Sequence, residues 1–262
     1  MNPAASSFRF WLITLAALAT MAVTASLGRW QLSRAAQKEA LQAAIDARQA
    51  LPPVDGAQLR SATASPARNP DAAAPEVQAL LHRQAQLRGE WVGEATVFLD
   101  NRQMQGRPGF YVVTPLRLEG SNAAVLVQRG WVPRDFQDRT RLPDVPTPAG
   151  PVQVAGRLAL EPSRLYALGA AGADEGASRI RQNLDLGAYA AETGLALLPL
   201  SLLQTGGPGD GLQRDWPVID SGVDKHYGYA FQWFGLCGLV AILYVWFQIV
   251  RRFLRPRRQP SA

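Results

Sequence analysis

Hydrophobic positions fall into two regimes along this chain: long uncharged runs near each end, and between them segments where apolar and polar residues alternate. Residues 10–28, FWLITLAALATMAVTASLG, hold nineteen positions without a charge, about 28 Å as a helix. Residues 227–250, YGYAFQWFGLCGLVAILYVWFQIV, form a second run of twenty-four, about 36 Å long and able to span hydrocarbon with some tilt. Both predict transmembrane helices. Aromatic residues sit at the headgroup depths that such spans need: Trp11 and Trp30 on the first, Tyr227, Tyr229, Trp233, Trp246 and Phe247 on the second. Trp30 and the Ala-, Gln- and Leu-rich stretch to residue 50 predict that the first helix continues as a stalk, stopped by Pro52 and Pro53.

The middle of the chain changes period. Leu87, Gly89 and Trp91 alternate with Gln86, Arg88 and Glu90, and the same period of two recurs in Val152, Val154, Gly156, Leu158 and Leu160. Residues 111–118 and 124–132 flank Glu119-Gly120-Ser121-Asn122, a turn cluster that predicts an antiparallel hairpin. Asp185 as N-cap and Gly194 past the end bound a helix over 185–193, and 195–203 reads as a further strand or buried segment. The stretch 51–75, rich in Pro, Ala, Ser and Asp, predicts a flexible insert and not core. The expected fold is an α+β membrane protein, two transmembrane helices bracketing a mostly antiparallel β extracytoplasmic domain with one or two helices. Its parts are a cytoplasmic N-terminus (1–9), a first span (10–28), a periplasmic domain (29–225), a second span (226–250) and a basic cytoplasmic tail (251–262).

Charge sets the orientation. Lysine plus arginine number 27 against 21 acids, a net +6, and five arginines lie among the last twelve residues. The positive-inside rule puts that end in the cytoplasm, and two spans put the N-terminus there too. A cleavable signal peptide ending near Val23-Thr24-Ala25 is the rival for the first run; a mitochondrial presequence fits less well, because one arginine precedes the span. Cations are almost all arginine, the bias of a GC-rich bacterium, so the expected location is a bacterial plasma membrane. Charge confined to one end argues against a nucleic-acid binder. One cysteine, Cys237, and two histidines, His82 and His226, exclude a disulfide framework and a zinc-hydrolase ligand set, and no hydrolase or P-loop motif occurs. A tail of twelve residues offers no output domain for a sensor, and the scattered acids form no readable catalytic pair.

His226 opens the second run and shares a helical face with Tyr229, Ala230 and Trp233. An imidazole among aromatic rings at the membrane surface suits axial ligation of a haem iron, with Lys225 near a propionate; an interfacial histidine that ends a helix reads the same way. His82 reads as a solvated residue and Cys237 as a small packing residue in mid-span.

Over 226–234 the string H-Y-G-Y-A-F-Q-W-F resembles the second-span signature of the Surfeit-locus-1 family of cytochrome oxidase assembly factors. Gly28-x-Trp30-Gln31-x-x-Arg34 is similar to that family's first-span motif. Leu99-Asp100-Asn101-Arg102, Gly109-Phe110-Tyr111-Val112-Val113-Thr114-Pro115 and Arg129-Gly130-Trp131-Val132-Pro133 resemble its central strands. Departures are the Ala/Pro-rich length of 57–75 and His82-Arg83 where a tyrosine-arginine pair is usual. The resemblance implies a non-enzymatic assembly factor for haem-copper oxidases that binds haem a and aids its insertion into the catalytic subunit. His226 becomes the axial ligand of the haem iron, with Tyr229, Trp233 and Trp30 as walls and Arg34 meeting a propionate. Partners would be the oxidase large subunit and possible factors for haem a synthesis and copper insertion. The alternative is a scaffold that binds no haem and holds oxidase subunits or other factors together. Outside the spans, Asn101, Arg102 and Thr114-Pro115 read as turn chemistry, and Arg129-Gly130-Trp131 as strand packing with close backbone approach at Gly130.

Overall fold

The computed structural model describes residues 3–64, 74–138, 141–163, 165, 178–206, 210–217 and 222–251. The chain divides into a helical unit (Met1–Ala44 with Ile219–Ala262) and a β-rich unit (Ile45–Val218). Residues 29–44 stay with the helical unit, as the continuing stalk expected of them.

In the helical unit, α1 (Pro3–Gln49) is one unbroken helix, and α5 (Val223–Tyr244) runs on through π-helical turns at Val245–Val250. Leu15, Leu18 and Val23 on α1 and Phe231, Leu239 and Ile242 on α5 stand exposed. The most apolar window of each helix is 6% and 0% buried in protein, so neither is the core helix of a soluble domain. With no protein cover for these faces, lipid is the solvent that suits them. One face of α1 loses exposure at Phe10, Thr14, Ala17, Met21, Thr24, Gly28, Gln31 and Ala35, alternately four and three residues apart. His226, Ala230, Trp233, Cys237, Val240 and Tyr244 repeat that spacing on α5. A 3.5-residue seam on both helices is the pattern of a left-handed antiparallel pair. Its register is fixed by Thr14 Oγ1 to Tyr244 OH (2.9 Å) and Cys237 Sγ to the Met21 carbonyl (3.6 Å). Cys237 is therefore on the seam, the packing place expected of it.

The β-rich unit is a seven-stranded sheet in the order β1-β5-β7-β4-β3-β2-β6, in which β1 also pairs with β3. The strands are β1 (Gln84–Trp91), β2 (Val97–Met104), β3 (Arg107–Leu118), β4 (Ala123–Pro133), β5 (Pro151–Ala159), β6 (Ile180–Arg181) and β7 (Ala196–Gln204). The extra pairing, Glu90 with Arg117, closes β1, β5, β7, β4 and β3 into a barrel, while β2 and β6 extend from the other half of β3. Pairing is antiparallel except at β4–β7 and β2–β6. The alternation read in β1 and β5 is the inside-outside alternation of barrel strands: Leu87, Val154, Leu158, Leu200, Leu202, Val125, Val127, Leu116 and Leu118 fill one core. Closure needs Gly89, where a Cβ would stand 2.0 Å from the Arg117 carbonyl oxygen. A second core packs Leu99, Tyr111, Trp131, Leu186 and Tyr189 on the outer face of β2–β4. The consecutive burial of β3 and β4 follows from cores on both of their faces.

Among the described residues three short α-helices lie in this unit, α2 (Gly56–Thr63), α3 (Pro75–Leu80) and α4 (Leu186–Thr193), besides a single 3-10 turn at Gly93–Ala95. α4 has the anticipated caps, Asp185 accepting from Ala188 N and Gly194 at φ 66°. The flexible insert expected over 51–75 is corrected over 54–64. Val54 bridges to Ala85, the Asp55/Gln58 capping box starts α2, and Leu59 is fully buried against the barrel core. Composition misleads here because one valine and one leucine at the right height suffice to seal a barrel end. Residues 65–73, and all of the basic tail after Arg251, lie outside the described residues.

Candidate functional site

His226 stands half-buried on the α5 side of the helix seam, where its Nδ1 lies 2.7 Å from Oε1 of Gln31, a residue 9% exposed on α1. With the amide oxygen as acceptor, Nδ1 carries a proton, and in a neutral ring the lone pair is then on Nε2. An imidazole fixed in that tautomer by a second residue is the arrangement that metal-ligating histidines use. One residue on, the Tyr227 hydroxyl donates to Glu39 Oε1 (2.8 Å), a further polar tie between the helices.

The other residues singled out in the spans divide into two groups. Trp233 is half-buried on the seam two turns from His226, and Tyr229 stands exposed one turn along. Trp30 is half exposed beside Gln31, and Arg34 lies over its ring, 5.6 Å from the centroid, while donating to Gln37 Oε1 at 3.2 Å. Trp30 and Arg34 thus pair with each other, and among the described residues no hydrogen bond or ring contact joins them to His226. Gln31 is the partner of His226 that sequence reasoning passed over. It lay inside the quoted first-span motif, and its seam spacing from Gly28 was the available signal.

Among the described residues no group of three or more His, Cys, Asp or Glu side chains gathers to hold a metal ion. A single neutral imidazole whose Nδ1 is taken by Gln31 has the chemistry to complete an iron whose remaining ligands come from a porphyrin.

In the β-rich unit the three central motifs form one row across adjacent strands, since Leu99 pairs with Tyr111 and Tyr111 with Trp131. Trp131 Nε1 donates to the Arg102 carbonyl (2.9 Å), and the Arg102 guanidinium lies over Tyr111 at 5.8 Å. Arg102 is 4% exposed, donating to Ser163 Oγ and the Gln182 carbonyl. The turn reading of Asn101 and Arg102 is corrected: both belong to β2, at a bulge where Asn101 takes φ 59°. The reversal itself is Gln105-Gly106, both with positive φ, a two-residue hairpin turn. Thr114 likewise is buried inside β3, its hydroxyl 3.0 Å from that of Thr96. Gly130 has the close backbone approach expected of it, since a Cβ there would stand 2.9 Å from the Gln213 carbonyl oxygen.

Five motifs in order on two seam helices and one strand row point to a single family, and a sequence profile described as the SURF1 family matches residues 18–238. The chain belongs to the SURF1 family. That is a family of oxidase assembly factors. A SURF1-like protein of Rickettsia bellii is 23% identical over 238 residues, covering 88% of each chain. A SURF1-like protein of Rickettsia felis is 25% identical over 130 residues, so that the alignment spans about half the length of either protein, 49% and 48%. The profile takes in the seam from Met21 to Cys237 and the whole strand row, so the family match rests on the residues whose geometry is described above.

His82 differs from its expectation as a solvated residue. It sits at φ 69° in the turn before β1, its N–H donating to the Leu158 carbonyl and its Nδ1 buried without a partner. Burial, then the charges of Arg157 and Arg48, hold its imidazole below the usual histidine range.

Proposed function

We propose that this SURF1-family member handles haem a for a haem-copper oxidase, receiving it on the membrane hairpin and delivering it to the catalytic subunit. The carrying observation is the 2.7 Å contact between His226 Nδ1 and Gln31 Oε1, which leaves the Nε2 lone pair of a neutral ring to ligate a metal. Haem a would supply an iron centre with an open axial position. His226 would take that position, and Gln31 would hold the ring's orientation and tautomer. Tyr229 and Trp233 offer apolar walls, while Trp30 holds Arg34 ready to meet a propionate. A ligand set of one neutral imidazole, open to lipid, is weak enough to give the iron up to a histidine of the acceptor; the protein transfers and does not transform. The orientation in this reading is periplasmic for the β-rich domain, in a bacterial plasma membrane, with that domain docking on the oxidase large subunit.

The test is spectroscopic. Protein co-expressed with haem a synthesis and purified should carry a haem a absorption spectrum, which His226→Ala removes while circular dichroism of the β-rich unit stays unchanged. A mutant that retains normal haem sinks the ligand assignment. A deletion strain whose oxidase keeps its full haem content but loses subunit association would favour the scaffold reading instead.

A further inference from the structure

The β-rich unit holds a cavity of about 600 Å³ that haem handling by the hairpin leaves without a role. Trp91, Arg129, Pro146, Val152, Gln204 and Asp210 are among its lining residues. Arg129, only 2% exposed, is spread along it: Nη1 donates to Thr147 Oγ1 (2.9 Å), Nη2 to the Pro146 carbonyl (2.7 Å), and the guanidinium lies 4.9 Å from the centre of the Trp91 ring. Asp210 Oδ2 is 3.8 Å from Arg129 Nη2, but the same oxygen takes a much closer bond from Arg214. Two arginines thus share one carboxylate, which leaves one positive charge over. Two buried polar atoms of the lining also lack partners, the donor Nε of Arg129 and the acceptor Oε1 of Gln204, whose amide nitrogen is used by the Gly206 carbonyl. Unmet buried donors and acceptors are costly, and such pairs persist where something else completes them.

We infer that this cleft binds a small apolar molecule bearing one carboxylate and a neighbouring N–H or O–H donor, the chemistry shared by N-acyl amino acids and the C-terminal residue of a polypeptide. The size suits a ligand of that class. Trp91, Val152 and the prolines take the apolar body, the residual arginine charge takes the carboxylate, and Gln204 Oε1 accepts from the donor. A dianion such as a phosphate monoester fits worse, because Asp210 stands beside the same guanidinium and repels a second negative charge. The inference is independent of His226.

The probe is N-acetyl-phenylalanine, measured by equilibrium dialysis against the full-length protein in lipid nanodiscs, with empty nanodiscs as reference. We expect saturable binding of one molecule per chain, N-acetyl-phenylalaninamide weaker by at least about tenfold because it lacks the charge, and 4-phenylbutyrate weaker several-fold because it lacks the donor. Val152→Trp, which fills the cleft, should abolish binding, and Asp210→Asn should tighten the acid several-fold without affecting the amide. A decapeptide ending in phenylalanine identifies a polypeptide terminus as the source if it binds at least as well as the acid, and a free small molecule if it is excluded. No saturable binding, equal binding of acid and amide, or indifference to both substitutions overturns the site; equal binding of 4-phenylbutyrate removes Gln204 from it.

Discussion

At the scale of single residues, the proposed haem site depends on one hydrogen bond, between His226 Nδ1 and Gln31 Oε1. Gln31→Leu removes the acceptor while keeping the size of the side chain, so the His226 ring loses its fixed tautomer. On the proposed function, haem affinity should fall about 10- to 100-fold with the iron still histidine-bound, measured by haem titration and the absorption spectrum. An unchanged affinity would detach Gln31 from the site. His82 provides a residue-scale pH effect. The folded state holds its imidazole neutral below its ordinary value of 6.5, so protons favour the unfolded chain. Stability from this group is complete above pH 6.5 and is lost as pH falls through the depressed folded value. Thermal unfolding of the full chain between pH 8 and 5 should therefore weaken on the acid side, and His82→Gln should flatten that slope.

At the scale of elements, backbone approach decides whether the barrel closes. Gly89→Ala places a Cβ against the Arg117 carbonyl at the β1–β3 junction, with no flexible side chain there to yield. The expected cost is about 3 kcal/mol or more, read as a drop in the denaturant midpoint of the β-rich unit. Asp185→Ala deletes the cap of α4, its bond to Ala188 N, and should cost about 1 kcal/mol in the same experiment. These elements were partly legible in the chain. Period-two patterns located β1 and β5, the turn cluster located the β3–β4 hairpin, and cap chemistry located α4. Periodicity alone did not show β2, which only the family resemblance pointed to, because its bulge residues, Asp100 to Arg102, look like a turn, and the Gln105-Gly106 turn that really ends it is only two residues long.

For the whole molecule, the testable matter is which side of the membrane each part occupies. In a Cys237→Ala background, a cysteine at Ser121, in the β3–β4 turn, should react with a membrane-impermeant maleimide from the periplasmic side of intact cells. A cysteine at Ser261 should react only after lysis. The reverse pattern would invert the topology that the arginine-rich tail predicts. A Ser121 site labelled from neither side would mean that this turn is covered by a partner.

The sequence alone determined the two spans, the family motifs and several strands, because length and local periodicity are properties of neighbours along the chain. Tertiary structure alone decided three things. Gln31 meets His226 across 195 positions of sequence, a pairing set by the shared 3.5-residue seam of two helices. Val54 and Leu59, in a stretch whose composition reads as linker, became barrel core because closure left an open end for them to fill. Arg129 and Gln204, unremarkable in their strands, came to line one cavity with polar atoms unmet, since only the wrapping of β4 against β7 brings their neighbourhoods together.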